Sequence, residues 1–262
     1  MPATTTQTTD TLPVKVEGLC KSFGMGHSEV QALNGVSFSV KRGEHLAIIG
    51  PSGSGKSTLL HLIASLTSPT KGEVAVAGRS LAGMGDRRLT LFRRKHVGMV
   101  FQAYNLIPTL TVEDNLRLPM LLEAGRHVEQ KKVDELLEAL GIAGRRTHRP
   151  DQLSGGEQQR VAVGRAMITD PTIILADEPS GNLDTANSRR LCELMHRLCG
   201  QQQRTVVTVT HDPAVAYWAD RVLVLKDGKV AAELAPADHD SPRHLGAKFQ
   251  DILEDGKANT CA

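Results

Sequence analysis

Hydrophobic and polar positions alternate with period two at Val14-Lys15-Val16-Glu17 and again at Val36-Ser37-Phe38-Ser39-Val40, which predicts two half-buried strands near the start of the chain. Arg42-Gly43 then marks a turn, and Leu46-Ala47-Ile48-Ile49 is a short apolar run of the kind found in a parallel strand covered on both faces. After Lys56 the period changes, with Leu59, Leu62, Ile63 and Leu66 spaced three and four apart as on one face of a helix. From about Val112 to Gly141 the pattern is helical throughout. Val133, Leu136, Leu137 and Leu140 make an apolar stripe there, with Glu129, Lys131, Lys132 and Glu135 largely off it. Ser154 followed three residues later by Glu157 is a capping-box pattern, so a helix should run from there to about Ile168. Strand and helix then alternate: Ile173 to Ala176, a helix from about Asp184 to Leu198, Val206 to Thr210, and Val222 to Leu225.

These elements imply an α/β fold with an antiparallel β portion at its N-terminal side and a helical subdomain, about 103–168, inserted between two parts of the core. The boundaries expected are a disordered lead-in over 1–12, one domain over 13–235 and a mobile tail over 236–262, where Asp, His, Pro and Lys are scattered among few apolar residues. A chain of 262 residues can bury a full core, and 40% hydrophobic with 23% charged residues is ordinary for a globular protein. The net charge of +2 gives no support to nucleic-acid binding. No apolar run approaches bilayer length, and the N-terminus lacks the pattern of a secretory signal, so a cytoplasmic protein is expected. Cys20, Cys192, Cys199 and Cys261 show no C-x-x-C pairing and are read as free thiols.

Two glycine-rich segments carry the chemistry. Gly50-Pro51-Ser52-Gly53-Ser54-Gly55-Lys56-Ser57 fits the phosphate-cradling pattern G-x-x-x-x-G-K-[ST] in full, between a strand and a helix as that pattern requires. The glycines let the backbone approach phosphates, Lys56 sets a positive charge against the outer ones, and Ser57 can ligate Mg²⁺. The second segment, Leu153-Ser154-Gly155-Gly156-Glu157-Gln158-Gln159-Arg160, opens a helix and can also present N–H groups to an anion. Two unlike phosphate-binding ends on one chain suggest that two copies set head to tail close each nucleotide between them. The strand Ile173 to Ala176 ends on Asp177, a carboxylate suited to holding the metal through water, and on Glu178, a candidate general base. His211 ends the strand from Thr205 and can hydrogen-bond a γ-phosphate. Gln102 follows Val97 to Phe101 and can contact metal or water through its amide oxygen. The cluster Arg87, Arg88, Arg93, Arg94, Lys95 and His96 is read as a solvated helix face.

Six motifs in order, Gly50 to Ser57, Gln102, Leu153 to Gln158, Asp177-Glu178, Ser180 to Asp184 and His211, resemble those of the nucleotide-binding subunit of an ATP-binding-cassette transporter over roughly Val14 to Glu233. The resemblance implies a P-loop NTPase core, a mixed sheet with flanking helices, and ATP hydrolysis with Mg²⁺. It implies ATP binding by Gly50, Pro51, Ser52, Gly53, Ser54, Gly55, Lys56, Ser57 and Thr58. Metal would be held by Ser57, Gln102 and Asp177, with Glu178, Gln102 and His211 as the catalytic and sensor positions. Ser154, Gly155, Gly156 and Glu157 would meet the ATP bound to the opposite subunit, and Asp184 would lie in the segment coupling the two sites. Phe23 falls where the family places an adenine-stacking aromatic, although it could equally be core. Phe101 to Pro108 and Ser180 to Asp184 look like the lipoprotein-release and macrolide-efflux group, itself similar to a cell-division ATPase that transmits force without transport.

The partners implied are ATP, a second copy of the chain or a paralogue, and a membrane permease holding the subunit peripherally on the inner face of the cell membrane. Tyr104, Leu106, Ile107 and Leu110 would offer that permease an apolar surface, or else pack the helical subdomain. A force-transmitting module stands as the alternative. A soluble superfamily member is less consistent, because only about a hundred residues separate Lys56 from Ser154 and there is no second cassette.

Overall fold

The computed structural model describes residues 12–25, 28–121 and 129–258; nearly all of the 1–12 lead-in, and Cys261, lie outside them. The chain opens with β1 (Val14–Met25), β2 (Ser28–Val40), β3 (His45–Ile49) and α1 (Lys56–Ile63), followed by β4 (Lys71–Val76), β5 (Arg79–Ser80), α2 (Asp86–His96) and β6 (Val97–Phe101). A helical stretch follows, with α3 (Val112–Leu121), α4 (Gln130–Ala139), two 3₁₀ turns at 143–145 and 150–152, and α5 (Gly155–Met167). The remainder is β7 (Ile173–Asp177), α6 (Thr185–Gln202), β8 (Thr205–Thr210), α7 (Pro213–Ala216), β9 (Arg221–Lys226), β10 (Lys229–Leu234), a 3₁₀ turn at 236–238 and α8 (Pro242–Ala258).

These strands form two sheets. The antiparallel one has the order β2-β1-β4-β5, and the larger one the order β10-β9-β3-β8-β7-β6, parallel except for β10. Both faces of the larger sheet are covered, which is why β7 and β9 carry long apolar runs and every residue of β3 and β8 is buried. Leu46, Ile48, Leu175, Val207 and Val209 join α1 and the antiparallel sheet in one core. On the opposite face, Val100, Ile174, Ala176 and Val206 pack under α3, α4, α5 and α6, while Ala47, Ile49, Val222 and Val224 pack under α7 and α8.

The stripe on α4 behaves as its spacing requires: Val133, Leu137 and Leu140 are buried and Leu136 is partly so. Leu66, by contrast, falls beyond the end of α1 and is exposed. The helical subdomain is pressed close onto β6, because a Cβ on Gly98 would collide with the Ala166 carbonyl of α5. Gly98→Ala is expected to cost about 2 kcal/mol of stability through this overpacking, read as a lower urea midpoint. An unchanged midpoint would mean that α5 yields at no cost.

The segment expected as a mobile tail from Pro236 is a correction. Its residues 242–258 form α8, whose Leu245 and Phe249 are buried against the sheet, with Ile252 and Leu253 packed beside them. The spacing of those four positions is helical, and it outweighs the scattered Asp, His and Pro around them. The solvated face expected of the basic cluster is only partial. Arg87, Arg88, Arg94 and Lys95 are exposed, whereas Arg93 donates to the Ser65 carbonyl at 2.8 Å and His96 Nδ1 hydrogen-bonds the Thr172 hydroxyl at 2.9 Å. Cys20 and Cys192 are free thiols, and burial pushes that of Cys192 up to about 12.

His45 is buried at the start of β3, its Nε2 hydrogen-bonded to the Thr208 hydroxyl at 2.9 Å. Burial lowers its pKa to about 4, with His196 acting in the same direction and Asp220 opposing. The unfolded chain takes up this proton near pH 6.5, so the contribution of neutral His45 is complete above that pH. It should decline as pH falls from about 6.5 to about 4, by about 3 kcal/mol in all, and level off below. Urea titrations of the parent and of His45→Gln between pH 7 and 4.5 check this; parallel stability curves would remove His45 as the cause.

Candidate functional site

Four adjacent parallel strands deliver the expected residues to one edge of the larger sheet. Ile49 is in register with Thr210, Asp177 with Val209, and Phe101 with Asp177, so the next residues along, Gly50, His211, Glu178 and Gln102, stand in a row beyond the strand ends. Crevices at the carboxyl ends of parallel strands are where open α/β sheets bind ligands.

The first glycine segment wraps from β3 into α1. Gly50 has no room for a side chain, since a Cβ there would strike the Leu225 carbonyl and the Ser54 hydroxyl. Gly55 caps α1 at φ +100, against the Ala32 carbonyl. Lys56 is only 8% exposed, and its Nζ donates to the carbonyls of Gly50 at 2.8 Å and Pro51 at 2.9 Å. Its burial lowers the ammonium pKa, while Glu178 and Asp177 act to raise it. The buried Ser54 hydroxyl has no hydrogen-bond partner among the described residues. A loop that holds a cation and an unsatisfied hydroxyl and leads into a helix N-terminus is suited to receive an anion.

Ser57 Oγ donates to Asp177 Oδ1 at 3.2 Å, and burial raises the pKa of that carboxyl. Hydroxyl and carboxylate oxygens side by side are hard donors of the kind Mg²⁺ accepts, so the residues present fit that ion.

Glu178 sits at φ +45, a left-handed conformation uncommon for a non-glycine residue, and its N–H donates to the Val209 carbonyl at 3.0 Å. Both carboxylate oxygens are held: His211 Nδ1 donates to Oε1 at 2.9 Å and the Thr210 hydroxyl donates to Oε2 at 3.1 Å. In sequence Thr210 is one of three threonines on its strand, with nothing local to set it apart. With its proton on Nδ1, a neutral His211 ring has only an acceptor at Nε2, so contact with a phosphate oxygen requires the imidazolium or a turn away from Glu178.

Gln102 is engaged with the 180–184 segment. Its Nε2 donates to Asn182 Oδ1 at 3.2 Å and Asn182 Nδ2 donates back to its carbonyl at 3.0 Å. Asp184 accepts from the N–H and side-chain amide of Asn187, at 2.8 and 2.7 Å, and the first of these holds its carboxyl below the usual range. Gln159 of α5 donates to the carbonyls of Phe101, at 3.2 Å, and Pro179, at 2.5 Å, bracing the helical subdomain against the strand ends.

The second glycine segment packs beside the residues that follow Gln102 and the 180–184 segment. Ser154 caps α5 through the expected box with Glu157, and Gly155 and Gly156 lie against Tyr104, Leu183 and Asn187. Among the described residues, neither glycine segment hydrogen-bonds to the other. Phe23 is 42% exposed, so it is not core; it lies on the β1–β2 ribbon whose Ala32 and Leu33 abut Gly55, with the Lys21 ammonium 4.9 Å from its ring centroid. Of the apolar residues after Gln102, Leu106 packs into the core and Ile107 is exposed. Buried Asn115 shapes that loop by accepting from Ile107 N–H at 2.8 Å and donating to the carbonyls of Ile107, Leu110 and Thr111.

The ABC transporter family model matches residues 33–181. An ABC transporter ATP-binding protein of Thermotoga maritima is 47% identical over 211 residues, spanning 80% of this chain and 90% of that protein. The lipoprotein-releasing system ATP-binding protein LolD of Chromohalobacter salexigens is 40% identical over 84% of this chain and 93% of its own length. The macrolide export ATP-binding/permease protein MacB of Rhodopirellula baltica is 40% identical over 84% of this chain, which spans only 33% of that longer protein. Among solved structures, the dimeric ATP-binding cassette MJ0796 in a post-hydrolysis state bound to ADP and Pi superimposes with a TM-score of 0.78 at 40% identity, covering 85% of this chain and 98% of that one.

Proposed function

Because this chain belongs to the ABC transporter family as an ATP-binding cassette, an ATPase of the α/β P-loop kind, we propose that two copies close head to tail around ATP and drive a separately encoded membrane transporter of the lipoprotein-release or macrolide-efflux type. One observation carries the reading: Glu178 is fixed through both carboxylate oxygens one residue past Asp177, on the same strand-end row as the loop that opens at Gly50.

In this reading Gly50 to Thr58 binds the phosphates of ATP, with the Lys56 ammonium on the outer ones and Phe23 against the adenine. Ser57 and Asp177, with the amide oxygen of Gln102, hold Mg²⁺, which when bound neutralises phosphate charge. Glu178 accepts the proton of the attacking water as general base, and His211 positions Glu178 and senses the γ-phosphate. The cradle is completed by Ser154, Gly155, Gly156 and Glu157 of the second copy, and Asp184 lies in the segment that relates the two sites. Support for a composite site comes from the dimeric state of MJ0796, and among the described residues no hydrogen bond joins the two glycine segments.

No helix among the described residues is long and apolar enough to cross a membrane, so attachment to its inner face would come through the transporter subunit. The exposed Ile107, on the loop held by Asn115, offers that subunit an apolar contact.

Composite sites make hydrolysis depend on encounter between copies. Specific ATPase activity of the purified chain should therefore rise with protein concentration and then level off. A flat profile down to nanomolar concentrations would mean that each chain completes its own site. Purification from solubilised membranes should bring down a membrane protein that stimulates this activity; recovery of none would remove the transporter from the proposal.

A further inference from the structure

The cap of α5 contains a charge that works against its proposed task. The Glu157 carboxylate sits in the first turn, where a helix N-terminus favours an acidic side chain, yet the same helix end is to receive the triphosphate of the opposite subunit. Glu157 Oε2 accepts from both the N–H and the hydroxyl of Ser154, each at 2.8 Å, and the Ser154 hydroxyl accepts from the Glu157 N–H at 3.3 Å. The proton that Ser154 would offer a phosphate is thus already given to Glu157. The other carboxylate oxygen, Oε1, accepts from Arg145 Nε at 2.8 Å, and Arg145 ends the 3₁₀ turn at 143–145.

We propose that Arg145 is a positioning residue for Ser154. Its guanidinium offsets the charge of Glu157 beside the incoming phosphate and keeps that carboxylate satisfied when the Ser154 hydroxyl turns away to donate elsewhere. Three donors converge on Glu157, one on Oε1 and two on Oε2, so withdrawing one of those two leaves an oxygen on each side still bonded. Arg145 foremost, then Ser154, holds the Glu157 carboxyl down to about 2, so the charge to be offset is present at every working pH. Without Arg145, the carboxylate would both repel the phosphate and compete for the serine proton.

This inference rests on the composite-site reading. Its test is a double-mutant cycle in chains that also carry Glu178→Gln, with the dimer dissociation constant in Mg-ATP measured by sedimentation. Arg145→Ala should raise that constant about tenfold, a coupling within the range seen for residues of one hydrogen-bonded network. With Glu157→Gln also present, adding Arg145→Ala should change it less than about twofold, because no carboxylate remains to offset. Arg145→Lys should restore part of the loss, and every variant should keep a cooperative urea transition.

An equal loss in both backgrounds, or none in either, overturns the role of Arg145 while leaving the composite site standing. A parent that binds Mg-ATP and stays monomeric overturns the composite site and this role with it.

Discussion

Glu178→Gln is expected to lower ATP turnover by about 10² to 10⁴-fold while ATP binding is kept, the loss typical of removing a positioned general base. The amide matches the carboxylate in shape, so the left-handed backbone at φ +45 and the bond from its N–H to Val209 are undisturbed. Its oxygen still accepts from one of the two donors, Thr210 or His211, that hold the native side chain. On the proposed roles, what disappears is the basic site for the water proton and one negative charge beside the γ-phosphate. The first loss stalls hydrolysis, and the second favours the nucleotide-bound state. The variant should accumulate as a dimer in Mg-ATP, seen by light scattering as a doubling of mass. Hydrolysis at the parental rate would remove Glu178 from the chemistry.

Lys56→Ala should fail one step earlier, at binding. Lys56 is almost fully buried as a residue, and in this structure its ammonium is satisfied by the carbonyls of Gly50 and Pro51, so it already sits inside the curve of the loop. Asp177 and Glu178 contribute opposing charge to it, and on the proposed roles removing the cation takes away the ammonium that balances these two acidic side chains beside the triphosphate. Charge-assisted hydrogen bonds contribute roughly 1.5–3 kcal/mol each, so ATP affinity is expected to fall by about 10²-fold. Calorimetric titration of the variant checks it. An affinity within about twofold of the parent would mean that the loop amides and the helix end suffice alone. The two variants separate binding from turnover, so a swap of their phenotypes would overturn both assignments.

Much of this molecule was legible from its residues in order, because the signals concerned are local. Period-two alternation marks β1 and β2, and short apolar runs mark β3, β7 and β9, where both faces of a sheet are covered. The Ser154–Glu157 box places the start of α5 within a residue, since a cap is made by neighbours in sequence. The Gly50 to Ser57 loop reads from its own spacing, because strand, loop and helix follow one another directly. Even α8, read as a tail, carried its signal in Leu245, Phe249, Ile252 and Leu253; the polar composition around them masked a helical period that was there.

Tertiary structure alone decided which strand ends stand side by side. The order β9-β3-β8-β7-β6 brings Gly50, His211, Glu178 and Gln102 into one row, although 161 positions separate the first two in sequence. It also decided that Thr210 and His211 share Glu178, that Gln102 pairs with Asn182, and that Arg145 answers Glu157. Local periodicity reports which face of an element is buried and says nothing of which neighbour covers it. Pairings across such distances are set by packing of the sheet and the inserted helices, where the energy of contact must exceed the entropy of closing the loops between them.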